Sequence, residues 1–466
     1  MDQRAADFIG VFQVFLDEVV QAHRDASIDD DNRLAPVLEQ HLGIDPARPP
    51  VVTEEVPGYR FVDLDIALDE IQRRGPGHRL VGVGGGEQRR HHSLSEILES
   101  AGRYGQFPVA AVDYRSVATG PDDTRQAVSF GLRLFTFEGS PVVVLQREAD
   151  PRYGTPAARM EILTPVEGVA ARLIAAVREL MVRRSVFRGQ VLSMGGSDFD
   201  AGVGGISFLR RPALAADDLV LPAGVLDRVR RHVEGVARHR DRLLAAGQHL
   251  KRGLLLHGPP GTGKTHTVRY LVGALPGLTV MLLAGPSIRF VTEATQMARA
   301  LQPALVVLED CDLVAEDRDL HSGSQPLLFA VLEALDGLSD DADVAFLLTT
   351  NRVDVLEPAL AQRPGRVDLA VEIPLPDDAA RRRLISLYAR SLPFTPAALD
   401  EAARRAQGTT ASFAKELVRR AVLIAAEAGR DTADADLESA LDEMLAETQA
   451  VTRSLLGTAG PYPALG

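Results

Sequence analysis

The sequence predicts an α/β core built on a parallel sheet, preceded by an α+β region and followed by a run of helices. Three observations carry this. The stretch Gly258-Pro259-Pro260-Gly261-Thr262-Gly263-Lys264-Thr265 reads G-x-x-x-x-G-K-T. It lies between an apolar run, Gly253-Leu254-Leu255-Leu256, and a helical pattern with Val268, Leu271 and Val272 on one face, the setting of a phosphate-binding loop. From about Asp217 onward, short apolar runs alternate with helical patterns, as in parallel strands joined by helices. The loop, the pair Glu309-Asp310 and Asn351 all fall at carboxyl ends of the strands so inferred, where sheets of this class bind ligands.

Each residue type in the loop has a physical reason. The glycines let the backbone curl until successive N–H groups point inward at phosphates. The start of the following helix adds partial positive charge. Lys264 reaches the β- and γ-phosphates and the Thr265 hydroxyl is a Mg²⁺ ligand. The whole sequence holds three lysines, Lys251, Lys264 and Lys415, against many arginines. A lysine kept here fits the need for a compact point charge in a tight cradle. The nucleotide-binding set is Gly258, Pro259, Pro260, Gly261, Thr262, Gly263, Lys264 and Thr265, with His266 next on the helix.

The 466 residues leave room for two or three domains, and 45% hydrophobic and 25% charged residues are ordinary for a globular protein. A net charge of −13 argues against nucleic acid as a partner. Cys311 is the single cysteine, which excludes an intramolecular disulfide and fits a reducing, cytoplasmic setting. No apolar run reaches the ~18 residues of a membrane span.

Residues 1–190 read as an α+β domain that recognises a partner. Phe8, Val11, Phe12, Phe15, Val19 and Val20 recur at helical spacing. Helices are expected near Leu64–Arg73, Leu94–Ser100 and Val166–Arg184. Strands are expected at Val109–Val112, Leu132–Phe137 and Val142–Gln146, the last two joined by the turn Glu138-Gly139-Ser140-Pro141. Gly82, Gly84, Gly85 and Gly86 lack a lysine and read as a turn. The Gly/Ser-rich residues 191–216 read as a linker.

In the core, residues 217–375, strands are expected at Gly253–Leu256, Thr279–Leu283, Ala304–Leu308, Val344–Thr349 and Leu369–Ile373. Leu305-Val306-Val307-Leu308 ends in Glu309-Asp310, an apolar strand holding two acids beside a metal and an attacking water. Glu309 orients the Mg²⁺ shell and Asp310 polarises water, in the reverse of the usual Asp-Glu order. Asn351 ends the next strand with a short amide able to hold water or phosphate. Arg363 and Arg366 sit on a Pro-Gly turn from which an arginine can reach a neighbouring subunit. Residues 376–450 are helical by pattern and 451–466 read as a flexible tail.

With these motifs in place, the core resembles the AAA branch of the AAA+ ATPases. The resemblance rests on Asp217-Asp218-Leu219-Val220, on Lys251 to His257 ahead of the loop, on Leu308-Glu309-Asp310-Cys311-Asp312, on Thr349-Thr350-Asn351, and on Arg363-Pro364-Gly365-Arg366-Val367-Asp368. It covers about residues 217–448. It implies a five-stranded sheet, a small all-helical lid, ATP with Mg²⁺, and a homo-oligomeric ring, usually a hexamer. It implies Asn351 as sensor 1, Arg363 and Arg366 as arginine fingers, and the segment Asp218, Leu219 and Val220 at the border of the adenine. Where many relatives carry an aromatic-hydrophobic-Gly pore loop, this chain has Gly285-Pro286-Ser287-Ile288-Arg289-Phe290-Val291. The expected function is ATP hydrolysis that remodels or moves a protein partner. The alternative is an ATP-dependent assembly switch with slow turnover and no threading.

Overall fold

The structure, a computed structural model, describes residues 33–150, 157–195, 205–312, 339–353 and 367–455, with residues 15 and 337. Of the helix expected around residues 8–20, only Phe15 is among them, and it is helical. The chain divides into two compact units. The first runs to Arg188 and takes in Gly195–Leu209; the second holds Gly189–Met194 and the chain from Arg210 onward.

In the first unit α1 (Leu34–Leu42), β1 (Val51–Pro57), α2 (Phe61–Gln72), β2 (Arg79–Val83), α3 (Leu94–Tyr104), β3 (Val109–Ala110), β4 (Asp113–Ala118), β5 (Thr124–Phe137), β6 (Ser140–Arg147), β7 (Ala157–Leu163) and α4 (Val169–Arg183) follow in order. The strands make an antiparallel sheet in the order β1-β7-β6-β5-β2-β3, with β4 also pairing β5. Successive side chains of β6 alternate between two cores. Val142 and Val144 join the residues of α2 and α4, while Val143 and Leu145 join those of α1 and α3. Burial on both faces explains the unbroken apolar run in the sequence. The β5–β6 loop is Glu138-Gly139, with φ of 50° and 79°, a two-residue turn whose twist suits a hairpin. Gly82 lies within β2, where a Cβ would come 2.0 Å from the Ala111 carbonyl oxygen, so the glycine serves close backbone approach. Ser93 and Glu96 form a reciprocal capping box that starts α3.

One charge is fully enclosed here. Arg133, on β5, is 0% exposed. Its guanidinium donates to Gln146 Oε1 at 2.7 Å, to Asp65 at 2.6 Å and to Asp69 at 2.5 Å. Asp65 and Asp69 lie one turn apart on α2, so both carboxylates face the strand. Arg125 also donates to both acids. Asp65 accepts in addition from the Val128 N–H and from Gln146. Burial raises the Asp69 pKa, but Arg133 and Arg125 outweigh it and hold the carboxyl below its usual range.

The second unit opens with β8 (Val191–Met194); β9 (Ile206–Leu209) belongs to the first. Then come α5 (Val225–Arg238), α6 (Arg240–Ala245), β10 (Arg252–His257), α7 (Lys264–Ala274), β11 (Thr279–Ala284), α8 (Val291–Ala300), β12 (Ala304–Glu309), β13 (Val344–Thr350) and β14 (Leu369–Glu372). Their strand order is β14-β10-β13-β12-β11-β8, parallel throughout. The five expected strands are all present. The linker expectation for 191–216 is corrected at Val191–Met194, which pairs with β11 and adds a sixth parallel strand to this unit. That pairing is with a strand far along the chain, which local Gly/Ser composition does not encode.

Arg211 ties this region to α7. Its guanidinium donates to the carbonyls of Gly189 and Leu278 at 2.9 Å, Leu275 at 3.0 Å, and Val272, closing off the C-terminal end of the helix. Four further helices, α9 (Asp378–Tyr388), α10 (Pro396–Arg405), α11 (Ala411–Glu427) and α12 (Asp434–Leu455), pack on their own apolar core. Asp377, Thr395 and Thr410 cap the first three. The last helix runs to Leu455, into the stretch expected as a tail.

Replacing Arg133 with methionine strands Asp65 and Asp69 without their buried partner. Unfolding in denaturant is expected to show a loss of about 3–5 kcal/mol. Asp69→Asn should be most harmful near neutral pH. The stabilisation from an Asp held below its usual pKa is present above about pH 4 and fades as pH falls through the native value, so the two stability curves should converge in acid.

Candidate nucleotide site

The site grows from the end of β10. Leu254, Leu255 and Leu256 are buried, and Arg252, also buried, anchors the strand through Asp343 at 2.8 Å and the Val233 carbonyl. Asp368 braces the same strand by accepting from the Gly253 N–H at 3.0 Å. The chain then turns through Gly258, Gly261 and Gly263, with φ of 140°, 74° and 113°. A Cβ at Gly258 would stand 2.2 Å from the Ile373 carbonyl oxygen, so only glycine fits. Lys264 opens α7 and is 5% exposed. Its ammonium donates to the carbonyls of Gly258 at 2.8 Å and Pro259 at 2.9 Å. The Thr262 hydroxyl donates to the same Pro259 oxygen at 2.9 Å. Thr265 is exposed on the first turn of α7 and His266 is half-buried.

The acids arrive from β12. Ala304 to Leu308 are buried, and the strand ends at half-buried Glu309. Burial and the neighbouring Asp310 carboxylate push the Glu309 carboxyl up, against an opposing pull from Arg269. Asp310 turns the chain with φ of 53°, in the left-handed region, and its N–H donates to Thr349 Oγ1 at 2.9 Å. Burial pulls the Lys264 ammonium below the usual lysine range, opposed by the Asp310 and Asp312 carboxylates, so loop and strand end share one electrostatic neighbourhood. Cys311 is buried and its thiol is pushed up to about 12, chiefly by burial, which leaves it an inert packing residue.

Asn351 follows β13. Its backbone N–H and side-chain amide both donate to Asp312. Asp312 was not singled out from sequence. The signal was present as the last residue of Leu-Glu-Asp-Cys-Asp, but its partners become visible only when β12 and β13 lie side by side.

Beside the loop is a cavity of about 410 Å³ lined by Val220, Pro222, Thr262, Ile373, Arg383 and Ala411 among others. Of the segment Asp218–Val220, one residue lines this cavity. Asp218 receives Arg390 at 2.8 Å, Leu219 is buried, and the cavity lining begins at Val220. The start of α11 meets the loop, with the Ser412 N–H donating to the Gly261 carbonyl at 3.0 Å. A Cβ at Gly261 would lie 3.0 Å from Ser412 Oγ. Burial lowers the His266 pKa, with Lys415 and Arg269 adding to the effect. Arg363 and Arg366 lie outside the described residues.

Residues 254–375 match the family described as ATPase family associated with various cellular activities (AAA). This stretch is an AAA-family ATPase domain. Such a domain implies an ATP hydrolase and binds ATP, typically with Mg²⁺; family members typically form oligomers. The chain is related to ATPases of the FtsH and proteasome kind. It is 32% identical over 286 residues to the ATP-dependent zinc metalloprotease FtsH 3 of Sphaerobacter thermophilus, covering 58% of this chain and 56% of that protein. It is 30% identical over 217 residues to the 26S protease regulatory subunit 6A of Caenorhabditis elegans, covering 42% and 48%. To the FtsH of Mycobacterium tuberculosis it is 32% identical over 220 residues, covering 44% and 29%. The chain thus spans about half or less of the length of these curated relatives. Among the described residues no helix is long and apolar enough to cross a membrane.

In the AAA domain, Phe290 ends a 3-10 turn, Gly285–Phe290, directly before α8. It is half-buried, with the Arg289 guanidinium 4.7 Å from its ring centroid.

Gly258→Ala is expected to remove measurable binding of a fluorescent ATP analogue and to lower the melting temperature, since the new methyl meets backbone and not a mobile side chain. Gly277→Ala, where a Cβ meets nothing within 4 Å, is the control and should bind normally.

Proposed function

We propose that this chain hydrolyses Mg-ATP within a ring of identical subunits and uses the cycle to remodel a protein partner. The observation that carries the reading is the strand register, His257↔Thr350 and Leu308↔Leu348, which sets the Lys264 loop after β10 on the same sheet edge as the ends of β13 and β12, with a cavity large enough for a base beside the loop. In this reading Gly258 to Thr265 wrap the phosphates, Val220 and Pro222 border the base, and Lys264 exchanges its loop carbonyls for β- and γ-phosphate oxygens. Thr265, Glu309 and Asp310 supply hard oxygen donors of the kind that hold Mg²⁺ with water completing the shell. When bound, that ion offsets charge on the transferring phosphoryl group.

Asp310 takes a proton from, or orients, the attacking water. Glu309, whose carboxyl is pushed upward, serves the metal shell. Asn351 holds the water or the γ-phosphate in place, and Arg363 and Arg366 complete the site of the adjacent subunit. A hexamer is the proposed ring. The N-terminal unit selects the partner. Both kinds of relative are named for proteases, which supports a polypeptide as that partner's class. No His-Glu-x-x-His zinc motif occurs in the 466 residues, so the proposal takes no peptidase chemistry from them. The acidic balance disfavours nucleic acid, and a cytoplasmic setting is proposed from the lone buried Cys311.

A second reading, a slowly turning assembly switch, is favoured by one observation. The water-handling acid is an aspartate, one methylene shorter than glutamate, on a backbone fixed at positive φ.

Lys264→Ala is expected to abolish nucleotide binding in calorimetry. Arg366→Ala should leave binding intact while turnover falls by ~10³-fold, and wild-type turnover should rise cooperatively with protein concentration. Asp310→Asn should slow hydrolysis by about 10²–10⁴-fold with ATP still bound, whereas Glu309→Gln should raise the Mg²⁺ requirement. The opposite pattern would exchange the roles of the two acids.

A further inference from the structure

Asp312 is a carboxylate that the hydrolytic reading leaves unused. It stands two residues beyond Asp310 and is 6% exposed. Its Oδ1 accepts from the Thr350 hydroxyl and from the Asn351 backbone N–H, both at 3.1 Å. Its Oδ2 accepts from Asn351 Nδ2 at 3.4 Å. Thr350 is itself wholly buried, and its hydroxyl also accepts from the Arg352 N–H at 3.0 Å. One residue earlier, Thr349 receives the Asp310 N–H. The ends of β12 and β13 are therefore laced together by side chains just beyond the point where the backbone ladder stops at Leu308↔Leu348.

An amide has two chemically different ends, and rotating it by half a turn exchanges donor for acceptor. A carboxylate accepts only. With Nδ2 turned toward Asp312, the oxygen of Asn351 is directed elsewhere as an acceptor, and one N–H remains to donate. Because the same carboxylate holds the Asn351 backbone and its neighbour's hydroxyl, the residue is fixed at several atoms. Hydrogen bonds to a charged acceptor are also the stronger kind.

We propose that Asp312 is a positioning residue: it sets the rotation of the Asn351 amide and ties its place to the strand end that carries Glu309 and Asp310. Asn351 then offers its oxygen to a proton of the attacking water and its free N–H to phosphate. The inference rests on the hydrolysis reading above. It assigns Asp312 no contact with nucleotide, metal or water.

The test uses the full chain with Mg-ATP and compares Asp312→Asn, Asn351→Ala and the double variant for kcat, KM, affinity for a fluorescent ATP analogue and melting temperature. Asp312→Asn is expected to lower kcat about 10- to 100-fold, the cost of a misplaced reacting group, with KM and affinity changed by no more than about threefold. It should add nothing to the loss in Asn351→Ala, because the two act as one unit. A kcat within about twofold of wild type, or losses that multiply in the double variant, overturns the proposal. If Asp312→Asn does not fold, Thr350→Val removes one donor to the same carboxylate. It is expected to lower kcat severalfold, again without added loss beside Asn351→Ala, and an unchanged kcat overturns the proposal. A silent Asn351→Ala alongside an inactive Lys264→Ala would remove the role of Asn351, and with it that of Asp312, while leaving hydrolysis standing. Unchanged ATP affinity in Lys264→Ala would instead remove the hydrolysis reading itself.

Discussion

A buried lysine ammonium is the constraint around which the second unit is built. Lys264 is 5% exposed, and an ammonium in that position needs hydrogen-bond acceptors and nearby negative charge. The loop supplies the first through the Gly258 and Pro259 carbonyls. To turn those carbonyls inward the backbone must pass through positive φ at Gly258, Gly261 and Gly263, which is why the glycines stand where they do. The strand end supplies the second through Asp310 and Asp312. Two carbonyls occupy two of the three ammonium donors. Phosphate oxygens bear charge and carbonyls do not, so exchanging one set for the other favours a bound triphosphate. The apolar strands behind the loop keep this exchange in a setting where charges are weakly screened.

The first unit handles its buried charge in the opposite way. Arg133 meets Asp65, Asp69 and Gln146 with all partners inside the same fold, and nothing about the cluster is aimed at a ligand. A satisfied network of this kind fixes which face of α2 meets β5, because a one-residue slip in the strand would turn Arg133 to the other face of the sheet. Lys264 and Arg133 are both enclosed cations. What distinguishes Lys264 is that its acceptors belong to a loop with a cavity beside it.

Much of this was legible in the sequence because it depends on local order. The loop residues are contiguous, so their pattern survives without structure. The five expected core strands follow from apolar runs and the helical lid of residues 376–450 from its periodicity, and Thr395 and Thr410 prove to cap two of its helices. The features that were not legible depend on pairing between distant segments. Val191–Met194 is a strand only because β11 offers it an edge. Asp312 becomes a partner of Asn351 only because β12 and β13 end level with each other. That Asp218 is engaged by Arg390 from the lid, while Val220 lines the cavity, depends likewise on segments distant in sequence. Arg133 shows the same limit from another side, as an arginine within an apolar strand gives no sign of the acids that will meet it.

The segment after β11 bears on the ring proposed above. In this unit β11 is not an edge strand, for β8 runs parallel beside it. The chain leaving it closes at once on itself. The Ala284 N–H donates to Ser287 Oγ at 2.8 Å, and that hydroxyl donates back to the Ala284 carbonyl at 2.9 Å. Ile288 is buried and Phe290 is half-covered beneath Arg289, so the aromatic ring is part of a short, folded turn and not the tip of an extended loop. A ring held in this way has little freedom to follow a moving polypeptide. The lid is differently placed. Its helix α11 touches the phosphate-binding loop directly through Ser412 and Gly261, so a change in the loop's carbonyl directions reaches the lid through one hydrogen bond. In the function proposed above, this contact makes motion of the lid against the core, more than a gripping side chain at Phe290, the route open to the structure for turning nucleotide turnover into work on a partner.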